Sequence, residues 1–302
     1  MKEVVIITGA SGSVAKVLAK KLENEYSVRF LTRSKKRENE FEWNIEKQTI
    51  DENVFENVSH VIHLAGANVS EKRWSDERKK EIISSRIDSA KLILNTLQKK
   101  NIKLKSFISA SAIGIYGAIT SEKIFKEDDE KGKDFLSEVV ILWEKAADEF
   151  LEKGIAERVV KVRIPVVLSE KEGALKKMAT PVKFGVGSPI GTGRQYIPWV
   201  HIDDLSSLFE FALKNENISG TYNASAPQHT DNENFTKEIA EVLNKPIFMP
   251  NIPAFVMKLM FGELSVVLLE GSRTSSEKLQ KTGFKFKFTD LKDALKDLLK
   301  GN

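Results

Sequence analysis

The sequence predicts an α/β fold: a doubly wound parallel sheet with a smaller α/β cap toward the C-terminal end. Three observations carry that prediction. The chain opens on Val4, Val5, Ile6 and Ile7, a branched aliphatic run of the kind buried on both faces of a parallel sheet. Two glycines three residues apart, Gly9 and Gly12, follow directly and lead into a basic amphipathic run. Strand-like and helix-like segments then alternate.

Taken in order, the run after the first strand places Val14, Val17, Leu18 and Leu22 at helical spacing and leaves Lys16, Lys20 and Lys21 to water. The glycines therefore sit in a strand-to-helix turn, the Rossmann-like arrangement that binds dinucleotides. Gly9 permits the sharp turn. Gly12 lets the backbone approach a pyrophosphate, and the backbone at Ser11, Ser13 and Val14 opens the helix with N–H groups turned toward that anion. Ala15 takes the third small position, where helix packs on strand. The second strand, SVRFLTR, ends on Arg33 with no acid beside it. An acid there would hold the ribose hydroxyls of NAD, whereas arginine pairs with the extra phosphate of NADP, so NADP(H) is the expected cofactor. Ser34, Lys35, Lys36 and Arg37 extend the basic run.

VSHVIHLAGAN, Val58 to Asn68, reads as a third strand ending in small residues, and Leu64, Ala65 and Gly66 offer backbone that a cofactor can approach. A helix over 77–100 follows, then a fourth strand, LKSFISASAIGIYG, running into a polar loop. An acidic stretch precedes a helix from about residue 135 to 153, and RVVKVRIPVVL gives a fifth strand. Within it, Ile164 and Pro165 are counted with the cofactor-binding residues. The expected division is a dinucleotide-binding domain over 1–165, its sheet completed by parts of 195–226, and a mainly substrate-binding cap over 166–302.

Composition narrows the function classes. At 302 residues, 41% hydrophobic and 30% charged, the chain is long enough for a full α/β core and one smaller domain. Its 47 basic residues are interspersed with 43 acidic ones, so the net charge of +4 gives no concentrated basic face and no nucleic-acid partner is expected. The absence of cysteine excludes disulfides and thiolate chemistry, and the four histidines show no ligand spacing, so no metal site is expected. The chain begins directly on its first strand and carries no apolar run of membrane-spanning length, which makes the cytoplasm the expected compartment and a small molecule the expected partner. Oligomeric state is left open.

Several long stretches together resemble a known family: TGASGSVA, LAGANVSEKRWSDERKKEIISSRI, SASAIGIYG, DFLSEVVILWEKAA, GSPIGTGRQYIPWVHIDDL and the tail FGELSVVLLEGSRTSSEKLQKTGFKFKF. The family is that of the atypical extended short-chain dehydrogenase/reductases, described as epimerase-family, nucleoside-diphosphate-sugar-epimerase-like or cell-division-inhibitor-like. The resemblance covers nearly the whole chain, and the tail is similar to the family's small C-terminal domain of unknown function. It implies a Rossmann domain with a nicotinamide cofactor and a cap closing over a substrate cleft. Natural substrates of the family are largely unassigned.

The resemblance also sharpens the catalytic question. Typical members of the wider superfamily use a tyrosine four residues ahead of a lysine; the lysine and the nicotinamide charge lower the phenol's pKa so that it exchanges a proton near neutral pH. Aligning WEKAADEF by its glutamate puts Leu136 at the tyrosine position and Val140 at the lysine position, and neither transfers a proton. Ser111 matches the serine that polarises the substrate oxygen, and Tyr116 matches a tyrosine-glycine pair near the substrate in relatives. With no cation nearby the Tyr116 phenol is expected to keep a high pKa, serving as donor rather than base; it reads equally as an aromatic closing a strand. In GTGRQYIPWVHIDDL, Arg194, Gln195, Trp199 and His201 make a candidate substrate-recognition loop, and the planar fork of Arg194 suits a carboxylate or phosphate. His201 reads either as a proton donor or as a buried hydrogen-bonded residue, and Asp203 with Asp204 as a helix cap or loop anchor. Arg86, where relatives often carry an asparagine, forms with Arg73 and Trp74 a second candidate substrate edge; the three read equally as exposed helix charges and a packing aromatic. The expected function is an NADP-dependent oxidoreductase or epimerase acting on a small polar or sugar-like substrate. The alternative is an NADP(H)-sensing regulatory binding protein, because the usual proton relay is missing.

Overall fold

The computed structural model describes residues 2–170 and 172–301. β1 (Val4–Thr8) is buried at every position. Val4 and Ile6 face one core and Val5 and Ile7 another, the alternation of a strand covered on both sides. α1 (Ser13–Leu22) buries Ala15, Leu18 and Leu22 and ends on Lys20 and Lys21, cations suited to a helix C-terminus. After β2 (Ser27–Thr32) come two strands that the sequence pattern does not announce, β3 (Glu40–Asn44) and β4 (Thr49–Ile50). EFEWN mixes charge with aromatic residues because it lies near the sheet's edge and buries only Glu40 and Trp43.

β5 (Val58–His63) returns the chain to the centre. α2 (Asp76–Lys99) starts on Ser75, whose hydroxyl accepts the Arg78 N–H, with Asp76 and Glu77 in the first turn to complement the helix dipole. β6 (Ser106–Ala112), β7 (Ile124–Phe125) and α3 (Phe135–Glu152) follow, and Asp134 caps α3 by accepting the Ser137 N–H. The expected fifth strand is two strands, β8 (Val159–Ile164) and β9 (Val166–Leu168), broken at Pro165, which has no N–H to give to a ladder. The remainder runs α4 (Ala174–Lys183), β10 (Trp199–His201), α5 (Ile202–Lys214), β11 (Gly220–Asn223), α6 (Asn232–Leu243), α7 (Ala254–Phe261), α8 (Val266–Leu269), β12 (Arg273–Thr274), α9 (Glu277–Lys281) and α10 (Leu291–Lys300).

The main sheet has eight strands in the order β11-β8-β6-β5-β1-β2-β3-β4, and its pairings are parallel except for β3 with β4. Ile87 and Leu94 of α2 and Phe150 of α3 pack one face, and Leu18 of α1 with Phe209 of α5 the other. This is the doubly wound α/β sheet, covered on both sides. β11 adds to it beside β8, whereas β10 pairs with β9 in a separate two-stranded sheet. A third core gathers Leu175, Phe235 and Leu295 of α4, α6 and α10 around Trp199. The strand order reverses between β1 and β5, and there the carboxyl ends of parallel strands leave a crevice for ligands.

Candidate functional site

At that switch point the glycine turn is fixed by contacts on both sides. Gly9 has φ +74°, and a Cβ on it would lie 3.0 Å from the Leu64 carbonyl oxygen, so the position needs glycine for both backbone and space. Gly12 is different: its φ of −72° suits any residue, and among the described residues a Cβ would meet only the Gly9 carbonyl oxygen at 3.3 Å. The far side of the turn is open above the first turn of α1. Gly12 N–H donates to Gly9 O at 2.9 Å, Ser11 is exposed, Ser13 opens the helix, and Val14 packs inward against two cores. These features fit a pyrophosphate at a helix N-terminus.

A residue the motif does not flag holds the opposite wall. Thr8, fully buried, accepts the N–H groups of Leu64 and Ala65 on its hydroxyl oxygen at 2.9 Å each, tying the loop after β5 to the end of β1. Gly66 is exposed on that loop, and Ala67 is gripped from α2: its N–H donates to the Ser85 hydroxyl, and Arg86 Nη2 donates to its carbonyl. Arg33 follows β2 on the same sheet edge, exposed, and no hydrogen bond or ion pair among the described residues engages its guanidinium. The loop after it is ordered by carboxylates: Glu40 accepts the N–H groups of Lys36 and Arg37, and Glu42 that of Lys35. Ile164 ends β8 half-buried, and Pro165 is buried beside it.

The residues expected to do chemistry are engaged elsewhere. Ser111, 2% exposed, donates its hydroxyl proton to Glu144 at 2.7 Å. Glu144 in turn accepts from Arg163 Nε at 2.7 Å and Nη2 at 3.0 Å. Burial pushes the Glu144 carboxyl up, but the Arg163 bonds and charge outweigh it and hold the group below the usual carboxylate range. An ionised Glu144 accepts only, so the Ser111 hydroxyl offers a ligand its lone pairs and not its proton. The serine expected to polarise a substrate oxygen thus has its hydroxyl proton already engaged by Glu144.

One premise about Tyr116 is corrected. A cation does stand beside it: Arg163 Nη1 donates to its hydroxyl at 2.9 Å, and that hydroxyl donates to Asn223 Oδ1 at 2.8 Å. Its pKa is nevertheless pushed up to about 12, because burial outweighs the Arg163 charge and the two hydrogen bonds. At 3% exposure, stacked on Phe125, it is an interior phenol. His201, 1% exposed, accepts the Asp203 N–H on Nδ1 and so caps α5 itself, with its ring 3.9 Å from Phe288 and Nε2 3.3 Å from Asp297. Burial lowers its pKa despite the surrounding Asp203, Asp297 and Asp204. This matches the buried hydrogen-bonded reading of His201, and Asp204 anchors the chain nearby by accepting the Lys287 and Phe288 N–H groups.

The expected substrate edge divides likewise. Trp199 is wholly buried in the third core, and Gln195 braces its loop by donating to the Ile190 and Leu268 carbonyls. Arg86 is 9% exposed and faces inward. Of the four, Arg194 alone is exposed. Leu136 and Val140 lie against the turn after β6: a Cβ on Gly114 would sit 3.5 Å from Leu136 Cβ and 3.9 Å from Val140 Cγ2. Where the resemblance implies a phenol and an ammonium, the wall of the site is aliphatic. Among the described residues there is no cluster of three or more potential metal ligands, and no helix is long and apolar enough to cross a membrane.

Residues 5–225 match the NAD dependent epimerase/dehydratase family, and residues 252–298 match a domain of unknown function, DUF1731. The chain is 40% identical over 239 residues to the epimerase family protein YfhF of Bacillus subtilis, an alignment covering 79% of this chain and 77% of that one. Its fold superposes on the crystal structure of the human epimerase family protein SDR39U1 with NADPH at a TM-score of 0.88 and 27% identity, covering 99% of this chain and 100% of that one. A nucleoside-diphosphate sugar epimerase from Corynebacterium glutamicum superposes at 0.80 and 27% identity, covering 99% of this chain and 58% of that one. The glycine turn, the switch-point crevice and the matches along its length agree, and the chain belongs to the NAD dependent epimerase/dehydratase family.

Proposed function

We propose that this chain is an NADP(H)-binding protein whose site presents the dinucleotide without the resident proton relay of a typical dehydrogenase or epimerase. One observation carries the reading: the dinucleotide cradle is intact while every proton-transfer candidate is apolar or sealed, with Leu136 and Val140 aliphatic, the Ser111 proton held by Glu144, and Tyr116 and His201 buried in bonds of their own. The backbone from Gly9 to Val14 would hold the pyrophosphate, Leu64 to Gly66 would line the opposite side, and Arg33 would pair with the 2′-phosphate. The NADPH in the human SDR39U1 structure supports the phosphate form of the cofactor. When bound, the nicotinamide supplies or accepts a hydride.

The second reading, an oxidoreductase or epimerase acting on a small polar or sugar-like substrate, is favoured by the likeness to the Corynebacterium epimerase and by Arg194, exposed on the loop that leads to β10. In that case the proton comes from the substrate or from water. Single-turnover mixing of the NADPH-loaded protein with candidate carbonyl compounds separates the two. The binding reading expects stable NADPH absorbance with every compound, and oxidation at a rate set by one of them overturns it in favour of the second.

Cofactor choice has its own test. Arg33→Ala is expected to weaken NADPH by roughly 1.5–3 kcal/mol through loss of a charge-assisted phosphate bond, with little change for NADH. Titration by nicotinamide fluorescence reads both. An equal loss for the two cofactors would remove Arg33 from the phosphate site.

A further inference from the structure

Among the described residues, Arg86 is a buried guanidinium without a counter-ion. Its neighbours in the same region are paired: Arg78 with Glu71 and Glu81, and Arg163 with Glu144. Among the described residues no carboxylate approaches Arg86. It donates instead to two backbone carbonyls, Ile82 at 2.8 Å and Ala67 at 3.0 Å, and its Cζ lies 5.0 Å from the Trp143 ring centroid. Burial, and then the Arg78 charge, bring its pKa down to about 10, so it stays a cation at neutral pH. His63, fully buried beside it, is held neutral with a pKa of about 3 by burial and by the Arg86 charge.

The placement gives this charge a consequence. A Cβ on Gly66 would fall 2.9 Å from Arg86 Cζ, so the guanidinium lies directly beneath the loop that would line the dinucleotide. Trp143 sits on α3 one turn beyond Val140, the position the resemblance assigns to the relay lysine. Val140 carries no ammonium, and the cation packed against the Trp143 ring comes from α2. A buried, uncompensated charge is costly, and it acts through low-dielectric surroundings on whatever lies near. Reduced and oxidised dinucleotides share their phosphates and differ at the ring, which is neutral in NADPH and cationic in NADP+.

We infer that Arg86 sets the redox preference of the site, repelling the oxidised nicotinamide and biasing the protein toward NADPH; the inference rests on the NADP(H)-binding reading. A unit charge within roughly 12 Å at an effective dielectric of about 20 shifts such an equilibrium about tenfold. The inference is tested on the full chain by titrating NADPH and NADP+ separately, by calorimetry, against the unmodified protein, Arg86→Met and Arg86→Lys. The unmodified protein should prefer NADPH, Arg86→Met should reduce the NADPH-to-NADP+ affinity ratio about tenfold, and Arg86→Lys should keep most of it. Lost grip on Ala67 would weaken both forms alike and leave the ratio unmoved, so an unmoved ratio in Arg86→Met overturns the inference. Should Arg86→Met not fold, the unmodified protein still decides: binding NADP+ as tightly as NADPH overturns it. Failure of both forms to bind overturns the cofactor reading instead, and the inference with it.

Discussion

Gly12→Val is expected to abolish dinucleotide binding while leaving the fold in place. At φ −72° and ψ 149° the backbone is open to any residue, and the added Cβ must gain only a few tenths of an ångström from the Gly9 carbonyl oxygen at 3.3 Å. Gly12 is also the N-cap of α1 and makes no side-chain cap bond, so replacing it with valine costs about 1 kcal/mol or less. The branched side chain would instead fill the open side of the turn, where a pyrophosphate must come close to the backbone. Losing two charge-assisted bonds of about 1.5 kcal/mol each corresponds to at least roughly 100-fold in affinity. Calorimetry with parallel circular dichroism separates the two effects, and a folded variant that still binds NADPH would move the cofactor site elsewhere. Gly9 makes a poorer test, because a side chain at φ +74° against Leu64 strains the fold itself.

The second large effect is expected in the core. Glu144→Leu leaves the Arg163 guanidinium buried without its carboxylate and the Ser111 hydroxyl without its acceptor, which should cost about 3–5 kcal/mol of stability at neutral pH. Glu144→Leu combined with Arg163→Met should recover much of that, since replacing a buried pair with apolar groups is often near neutral. The pH dependence follows from the lowered pKa of Glu144. A depressed carboxylate stabilises the fold above its unfolded value of about 4.3, and the contribution is lost as pH falls through the folded value. The gap between unmodified protein and Glu144→Gln should therefore narrow in acid. Urea denaturation across that range measures it, and a cost below about 1 kcal/mol at pH 7 for Glu144→Leu would show that the network is not structural.

What the sequence discloses is local. Val4 to Ile7 announces a doubly covered strand because its neighbours on both faces are apolar whatever they are, and Gly9 with Gly12 announces the turn because the spacing itself is the signal. The position of Arg33 is legible for the same reason: the strand pattern places it directly after β2, and there it stands exposed. The buried network is not legible, because its partners meet only in three dimensions; Arg163 is 47 residues from Tyr116 and 19 from Glu144. An arginine within the apolar strand VVKVRI is the one hint that a buried carboxylate must face it. His201 and Trp199 look like a recognition loop because polar and aromatic residues cluster there, yet one caps a helix and the other fills a core. β3 and β4 escape notice because an edge strand needs few apolar residues.

The most direct measurement of the central claim is a paired titration of the unmodified protein with NADPH and NADH, followed by nicotinamide fluorescence. An intact glycine turn with an unengaged Arg33 predicts that NADPH binds at least about tenfold more tightly than NADH, as one phosphate contact worth roughly 1.5 kcal/mol requires. Equal affinity for the two, or binding of neither, would contradict it.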